Sequence, residues 1–151
     1  MGDPKIKWVQ RVVAGAIPAS ILVADDDQFL VDMMGTIFSR AFPEAELLKA
    51  ADGCEAVTLY REHCPDIVLL DVMMPAMNGW EACKNIRLEE KKDGQTPVII
   101  IMTGIGPDIN ALTSPLFEPD AYIDKPLRPA RLIDLIISLF SKKRKTTKKA
   151  V

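Results

Sequence analysis

The chain has a single histidine, His63, and only three cysteines, Cys54, Cys64 and Cys83, in 151 residues. The cysteines are odd in number and form no C-x-x-C pair. That argues against a disulfide framework and fits reduced thiols in a cytosol. With so little imidazole and no zinc-type spacing, metal binding through sulfur or histidine is not supported. No apolar run approaches the roughly 18–20 residues that span a bilayer. The opening MGDPKIKWVQRVV lacks the long apolar stretch and small-residue cleavage pattern of a signal peptide. The expected location is therefore cytoplasmic. A basic stripe is missing too. Six of the 19 basic residues lie in KKRKTTKK, residues 142–149, and elsewhere 21 acidic residues outnumber 13 basic ones. So acidic a body does not read as a nucleic-acid-binding face.

What is present is a regular alternation of short apolar runs and helical periodicity. The length and the 48% hydrophobic content suit one domain with a single core. Strands are expected over 20–24, 47–50, 66–70, 98–102 and 121–123. The run Val98-Ile99-Ile100-Ile101-Met102 is wholly apolar, as a central strand covered on both faces should be. Helices are expected over 28–42, 55–63 and 80–91. The first two stop before Pro43 and Pro65, and residues 92–96 read as a turn. A last helix begins at Pro129, a good first-turn residue, with Leu132, Ile133, Leu135, Ile136, Leu139 and Phe140 on its apolar face. Between Thr103 and Ala121 lie Gly104, Gly106, Pro107, Pro115 and Pro119. Proline breaks a helix interior, so only a short or irregular helix near 108–114 is expected there.

This divides the chain into a leader or linker, 1–19, a domain, 20–141, and a basic disordered tail, 142–151. Trp8, Val9, Val12 and Val13 could line one face of a short helix in the leader, broken by residues 14–18. Nothing after residue 141 is long enough to be an output domain, DNA-binding or otherwise.

Repeated β-α-β units with near-continuous apolar strands imply an α/β fold with a doubly wound parallel sheet. Ligands of such sheets bind beyond the carboxyl ends of the strands. Asp25, Asp26, Asp71, Thr103 and Lys125 all fall at or just past strand ends, hence on one edge. Three carboxylates crowded there repel one another unless a cation lies among them. Oxygen ligands suit a hard divalent ion, Mg2+ above all, and Mg2+ beside an exposed carboxylate suggests phosphoryl chemistry. Asp27 reads instead as a helix N-cap.

The segments ILVADDD, DIVLLDVMMPAMNG, VIIIMTG and YIDKP resemble, in order, the four signature segments of the response-regulator receiver domain of two-component signalling. The likeness spans about residues 20–141. It is carried by the order of the segments and by their spacing, 45 residues from Asp26 to Asp71 and 22 from Thr103 to Lys125. It implies a five-stranded sheet of order 2-1-3-4-5. It also implies that Asp71 is the phosphoacceptor, charged by a histidine kinase or a histidine phosphotransfer protein. Asp25, Asp26, Asp71 and the backbone carbonyl of Met73 would hold Mg2+. Lys125 would meet the phosphoryl oxygens, and Thr103 with Tyr122 would form a conformational switch. Pro126 matches a proline whose preceding bond is cis in the family. The resemblance implies self-phosphorylation and slow self-dephosphorylation but no turnover, and it admits a phosphorylation-dependent dimer.

Two departures stand out. Gly104 replaces the usual Ala or Ser, leaving the site more open, and Glu118-Pro119-Asp120 replaces Gly-Ala-Asp. Met77-Asn78-Gly79 and Pro75 read as loop scaffold, with Gly79 giving a tight turn. A haloacid-dehalogenase-type phosphohydrolase needs an acid where Met73 stands. A flavin-binding domain of the same topology would find its phosphate repelled by Asp25-Asp26-Asp27. A receiver excised from a larger regulator or hybrid kinase is the remaining alternative.

Overall fold

The computed structural model describes residues 17–93, 96–104 and 117–149. Five parallel strands form one sheet of order β2-β1-β3-β4-β5. They are β1 (Ser20–Ala24), β2 (Glu46–Ala50), β3 (Ile67–Asp71), β4 (Val98–Thr103) and β5 (Ala121–Asp124). The helices among the described residues are α1 (Gln28–Ala41), α2 (Gly53–His63), α3 (Gly79–Asp93) and α4 (Pro129–Lys149). The expected doubly wound sheet and its strand order are both found.

The three central strands are buried along their whole length, whereas edge strands β2 and β5 are only partly covered. Side chains alternate across the pleat, so each central strand feeds two cores. Ile21, Val23, Ile67, Leu69, Ile100 and Met102 pack with Val31, Met34, Phe38, Leu132, Ile133 and Ile136 of α1 and α4. Leu22, Leu70, Val68, Ile99 and Ile101 pack on the other face with Ala56, Val57 and Tyr60 of α2 and Ala82, Cys83 and Ile86 of α3. A continuous apolar run satisfies both cores at once, which is why these strands lack polar alternation.

Local chemistry sets the helix ends. Asp27 caps α1, its carboxylate accepting from the N–H groups of Phe29 and Leu30. Asp52 caps α2 by accepting from Glu55 N–H. Each cap satisfies donors that have no partner inside the helix. α2 ends at Cys64, which is left-handed with φ 47° before Pro65. α2 thus starts two residues before the expected 55, with Asp52 as its cap and Gly53 as its first residue.

Three boundaries differ from the sequence reading. α3 continues to Asp93, through the beginning of the expected turn. The leader's last residues belong to the domain: Ala19 N–H donates to Asp66 at 2.7 Å and its carbonyl accepts from Glu46 N–H at 2.9 Å. The expected disordered tail is corrected most, because α4 runs on to Lys149. Lysine and arginine are good helix formers and complement the negative end of the helix dipole. Lys143 also donates to the carbonyl of Pro97 at 2.6 Å and pairs with Asp120 at 3.0 Å, and Arg144 lies over the Phe140 ring at 5.2 Å. The expected helical face at residues 8–13 and the short helix near 108–114 lie outside the described residues.

Candidate functional site: an acidic pocket at the carboxyl edge

Strand register assembles the site. Ala24 pairs with Leu70, so the next residues, Asp25 and Asp71, emerge side by side. Asp71 pairs with Met102, and Thr103 with Asp124, which brings Thr103 and Lys125 to the same edge. Lys125 N–H donates to the carbonyl of Thr103 at 2.9 Å. Asp25, Asp71 and Thr103 are buried, whereas Asp26 is exposed.

One carboxylate oxygen from each of Asp25, Asp26 and Asp71 lies within 4.8 Å of the others. This donor set, all carboxylate oxygen and open through Asp26, fits a hard cation with oxygen coordination. The acidic pocket is thus able to hold a metal ion. The ammonium of Lys125 bridges the two buried members, 2.8 Å from Asp25 and 3.0 Å from Asp71. The other oxygen of Asp25 accepts from Asp27 N–H at 2.9 Å. Asp27 itself caps α1, as the sequence indicated, and its N–H helps orient Asp25 toward the pocket.

The electrostatics follow from crowding. Burial raises the Asp71 carboxyl above its ordinary value, and the charges of Asp25 and Asp26 push it further, against the pull of Lys125. For Lys125, burial acts to lower its pKa, but the hydrogen bonds to Asp25 and Asp71 outweigh it and hold the ammonium above its usual value. One cation therefore stands among three carboxyl groups, a shortfall of positive charge.

Thr103 closes β4 in a buried position. Tyr122 is half-buried in β5 and packs against the α2–α3 core, where Trp80 stacks on Phe117 with centroids 6.2 Å apart. The Met73 side chain is exposed, so its role in the sequence reading concerns the backbone alone. The Lys125–Pro126 bond is cis. Among the described residues, a Cβ on Gly104 would meet nothing within 4 Å.

Two glycines matter more than their sequence suggested. A Cβ on Gly79 would lie 2.1 Å from the carbonyl oxygen of Asp71. Gly79 N–H donates to Val72 at 3.0 Å, so the loop folds back directly over the Asp71 backbone. A Cβ on Gly53 would lie 2.2 Å from the carbonyl of Met77, to which Gly53 N–H donates at 3.1 Å. The two loops are locked backbone to backbone. No local pattern announces such contacts, since the partners are 8 and 24 residues away.

The domain is thus a five-stranded doubly wound sheet with an acidic, lysine-bridged pocket at its carboxyl edge. The profile of the response regulator receiver domain matches residues 21–137, and the chain belongs to that family. It is 32% identical to chemotaxis protein CheY of Halobacterium salinarum over 116 residues, 77% of this chain and 92% of that one. It is 35% identical to the probable transcriptional regulator ycf27 of Cyanophora paradoxa over 119 residues, 79% of this chain but 47% of that one. Against ycf27 of Guillardia theta it spans 41% of the relative's length. The chain therefore covers less than half of these longer regulators. Among solved structures, a CheY-like receiver from Methanospirillum hungatei superposes with a TM-score of 0.73 at 27% identity, covering 84% of this chain and 97% of that one. The CheX-CheY-BeF3-Mg complex from Borrelia burgdorferi matches with a TM-score of 0.71 at 30% identity, covering 85% and 93%.

Proposed function

We propose that this receiver domain is a Mg2+-dependent phosphoacceptor in a two-component phosphorelay, with Asp71 as the accepting group. The observation that supports this best is the position of Asp71, within the acidic pocket with the Lys125 ammonium 3.0 Å from its carboxylate. An Asp71 oxygen attacks the phosphorus of a phosphohistidine on a histidine kinase or phosphotransfer protein. A P–O bond forms, the P–N bond breaks, and the imidazole leaves with the bonding pair. Because a free carboxylate is a weak nucleophile, alignment and charge neutralisation carry the rate.

Asp25, Asp26, Asp71 and the Met73 carbonyl are the groups assigned to hold Mg2+. When bound, the ion supplies positive charge against the phosphoryl oxygens. Lys125 then turns from Asp25 and Asp71 to the new oxygens as a point charge. The Thr103 hydroxyl bonds a phosphoryl oxygen, and Tyr122 moves inward toward the space Thr103 leaves. That motion is a population shift, driven only by contacts the phosphoryl group makes better in the active state. The domain acts as a cytoplasmic signalling module with slow self-dephosphorylation and no turnover of outside substrates. Its place within a larger regulator is favoured by the share of ycf27 it matches.

The test is intact mass after incubation with Mg2+ and acetyl phosphate, beside Asp71→Asn. One phosphoryl group should appear in the parent alone and be absent when Mg2+ is chelated. Equal gain in Asp71→Asn would move the acceptor elsewhere.

A further inference from the structure

The turn between β2 and α2, residues 50–55, contains no group assigned to the cation or to phosphoryl transfer. It nevertheless touches both segments that carry such groups. On one side, the Ala50 carbonyl accepts from the N–H of Asp25 at 3.1 Å. On the other, Gly53 N–H donates to the Met77 carbonyl at 3.1 Å, within the loop 72–78 that bears Met73. The turn is itself fixed by its own side chains. Asp52 Oδ1 accepts from Glu55 N–H at 2.8 Å, and the Glu55 carboxylate accepts from Ala51 N–H at 2.9 Å. These reciprocal bonds resemble a capping box and leave the start of α2 little freedom.

The loop opposite depends on outside support. Its ends are pinned, Val72 N–H donating to Met102 at 3.2 Å and Gly79 N–H to Val72 at 3.0 Å. Between them Met77 N–H donates to the Pro75 carbonyl at 2.7 Å around Ala76, which has φ 64°. A left-handed residue other than glycine is costly and persists only where its surroundings enforce it. Here the enforcing contacts are the burial of Met74 in the α2–α3 core and the bond from Gly53. A Cβ on Gly53 would lie 2.2 Å from the Met77 carbonyl oxygen, so no other residue allows so close an approach. Alanine is a far better helix former than glycine. The contact with Met77, not the helix, therefore accounts for glycine as the first residue of α2.

We infer that Asp52 and Gly53 are positioning residues for the cation, holding the Met73 loop at a set distance from Asp25. This rests on the assignment of Asp25, Asp26, Asp71 and the Met73 carbonyl to Mg2+. That ion demands near-ideal octahedral geometry and short bonds, so its affinity is sensitive to small displacements of a ligand-bearing loop. Asp52 acts by capping α2, and Gly53 by meeting Met77.

The experiment is calorimetric titration of the full chain with Mg2+ for the parent, Asp52→Ala, Asp52→Asn and Gly53→Ala, each first shown to be folded by circular dichroism. Asparagine caps a helix as well as aspartate but carries no charge. Asp52→Ala and Gly53→Ala should each bind Mg2+ about tenfold more weakly or worse, the low end for groups that orient metal ligands. Asp52→Asn should bind it as the parent does. A brace that serves stability alone would lower the Tm of Asp52→Ala and leave its Mg2+ affinity at the parent's value, which overturns the inference. An equal loss in Asp52→Asn also overturns it, because charge rather than position would then be the cause. If Gly53→Ala does not fold, the two Asp52 variants decide. A parent that binds no Mg2+ would overturn the metal assignment and this inference with it.

Discussion

The two edges of the sheet hold the same kinds of residue and balance them in opposite ways. At the amino edge, Asp120 faces Arg87 and Lys143: its Oδ2 accepts from Arg87 and from Ile99 N–H and pairs with the Lys143 ammonium. At the carboxyl edge, Asp25, Asp26 and Asp71 share one ammonium, that of Lys125. Compensation is complete at the first edge and incomplete at the second. The contrast shows how one fold separates holding itself together from binding. Satisfied charges position elements, whereas a deficit of positive charge leaves a pocket able to hold a cation.

The comparison breaks most severely where the loop crosses the Asp71 backbone. Gly79→Ala places a carbon 2.1 Å from the Asp71 carbonyl, a backbone clash no rotamer relieves. A loss of about 3 kcal/mol in urea unfolding is expected, at the upper end for overpacking. A variant as stable as the parent would show the loop free to lift.

Next comes the amino edge. Asp120→Ala leaves Arg87 and Lys143 facing each other without their anion. Breaking a fully buried pair costs about 3–5 kcal/mol, and partial exposure here lowers the expected loss to about 2 kcal/mol. Chemical denaturation measures it; a change below about 0.5 kcal/mol would mean the Asp120 group is a surface ion pair of no consequence.

The carboxyl edge should respond oppositely. Asp26 is exposed, so Asp26→Ala should leave the fold intact and weaken Mg2+ binding by at least about tenfold, the loss seen even for outer-shell partners. Calorimetric titration with Mg2+ reads it, and unchanged affinity would remove Asp26 from the site.

The smallest effect has the opposite sign. Because burial raises the Asp71 pKa above its ordinary 3.8, the metal-free folded state binds its proton more tightly than the unfolded chain. Stability from this group is therefore greatest below 3.8 and declines as pH rises through the raised folded value. Asp71→Asn lacks the penalty. In chelator its Tm should exceed the parent's at neutral pH, with the gap closing as pH falls toward 3.8. A lower Tm at neutral pH would show that Lys125 over-compensates Asp71.

The carboxyl edge was far more legible in the sequence than the amino edge. Asp25, Asp26, Asp71, Thr103 and Lys125 each follow an apolar run, and a strand's end is read from where that run stops. Asp27 announced itself as a cap for the same local reason. Arg87, Asp120 and Lys143 are separated by 33 and 23 residues and lie in no periodic pattern. Their contacts depend on how α3 and α4 wrap the edge strand. The basic segment after residue 141 looked disordered because it has no apolar face, yet its early residues are held by Asp120, Pro97 and Phe140.

By itself, then, the sequence determined the strands, the two-faced cores and which residues reach the carboxyl edge, since burial of continuous apolar runs is a local property of the chain. Only the tertiary structure decided that Gly79 must be glycine, that Lys125 bridges Asp25 and Asp71, and that α4 extends to Lys149. Each of these depends on distances between segments far apart in the chain, set by packing of the whole sheet rather than by any neighbouring residue.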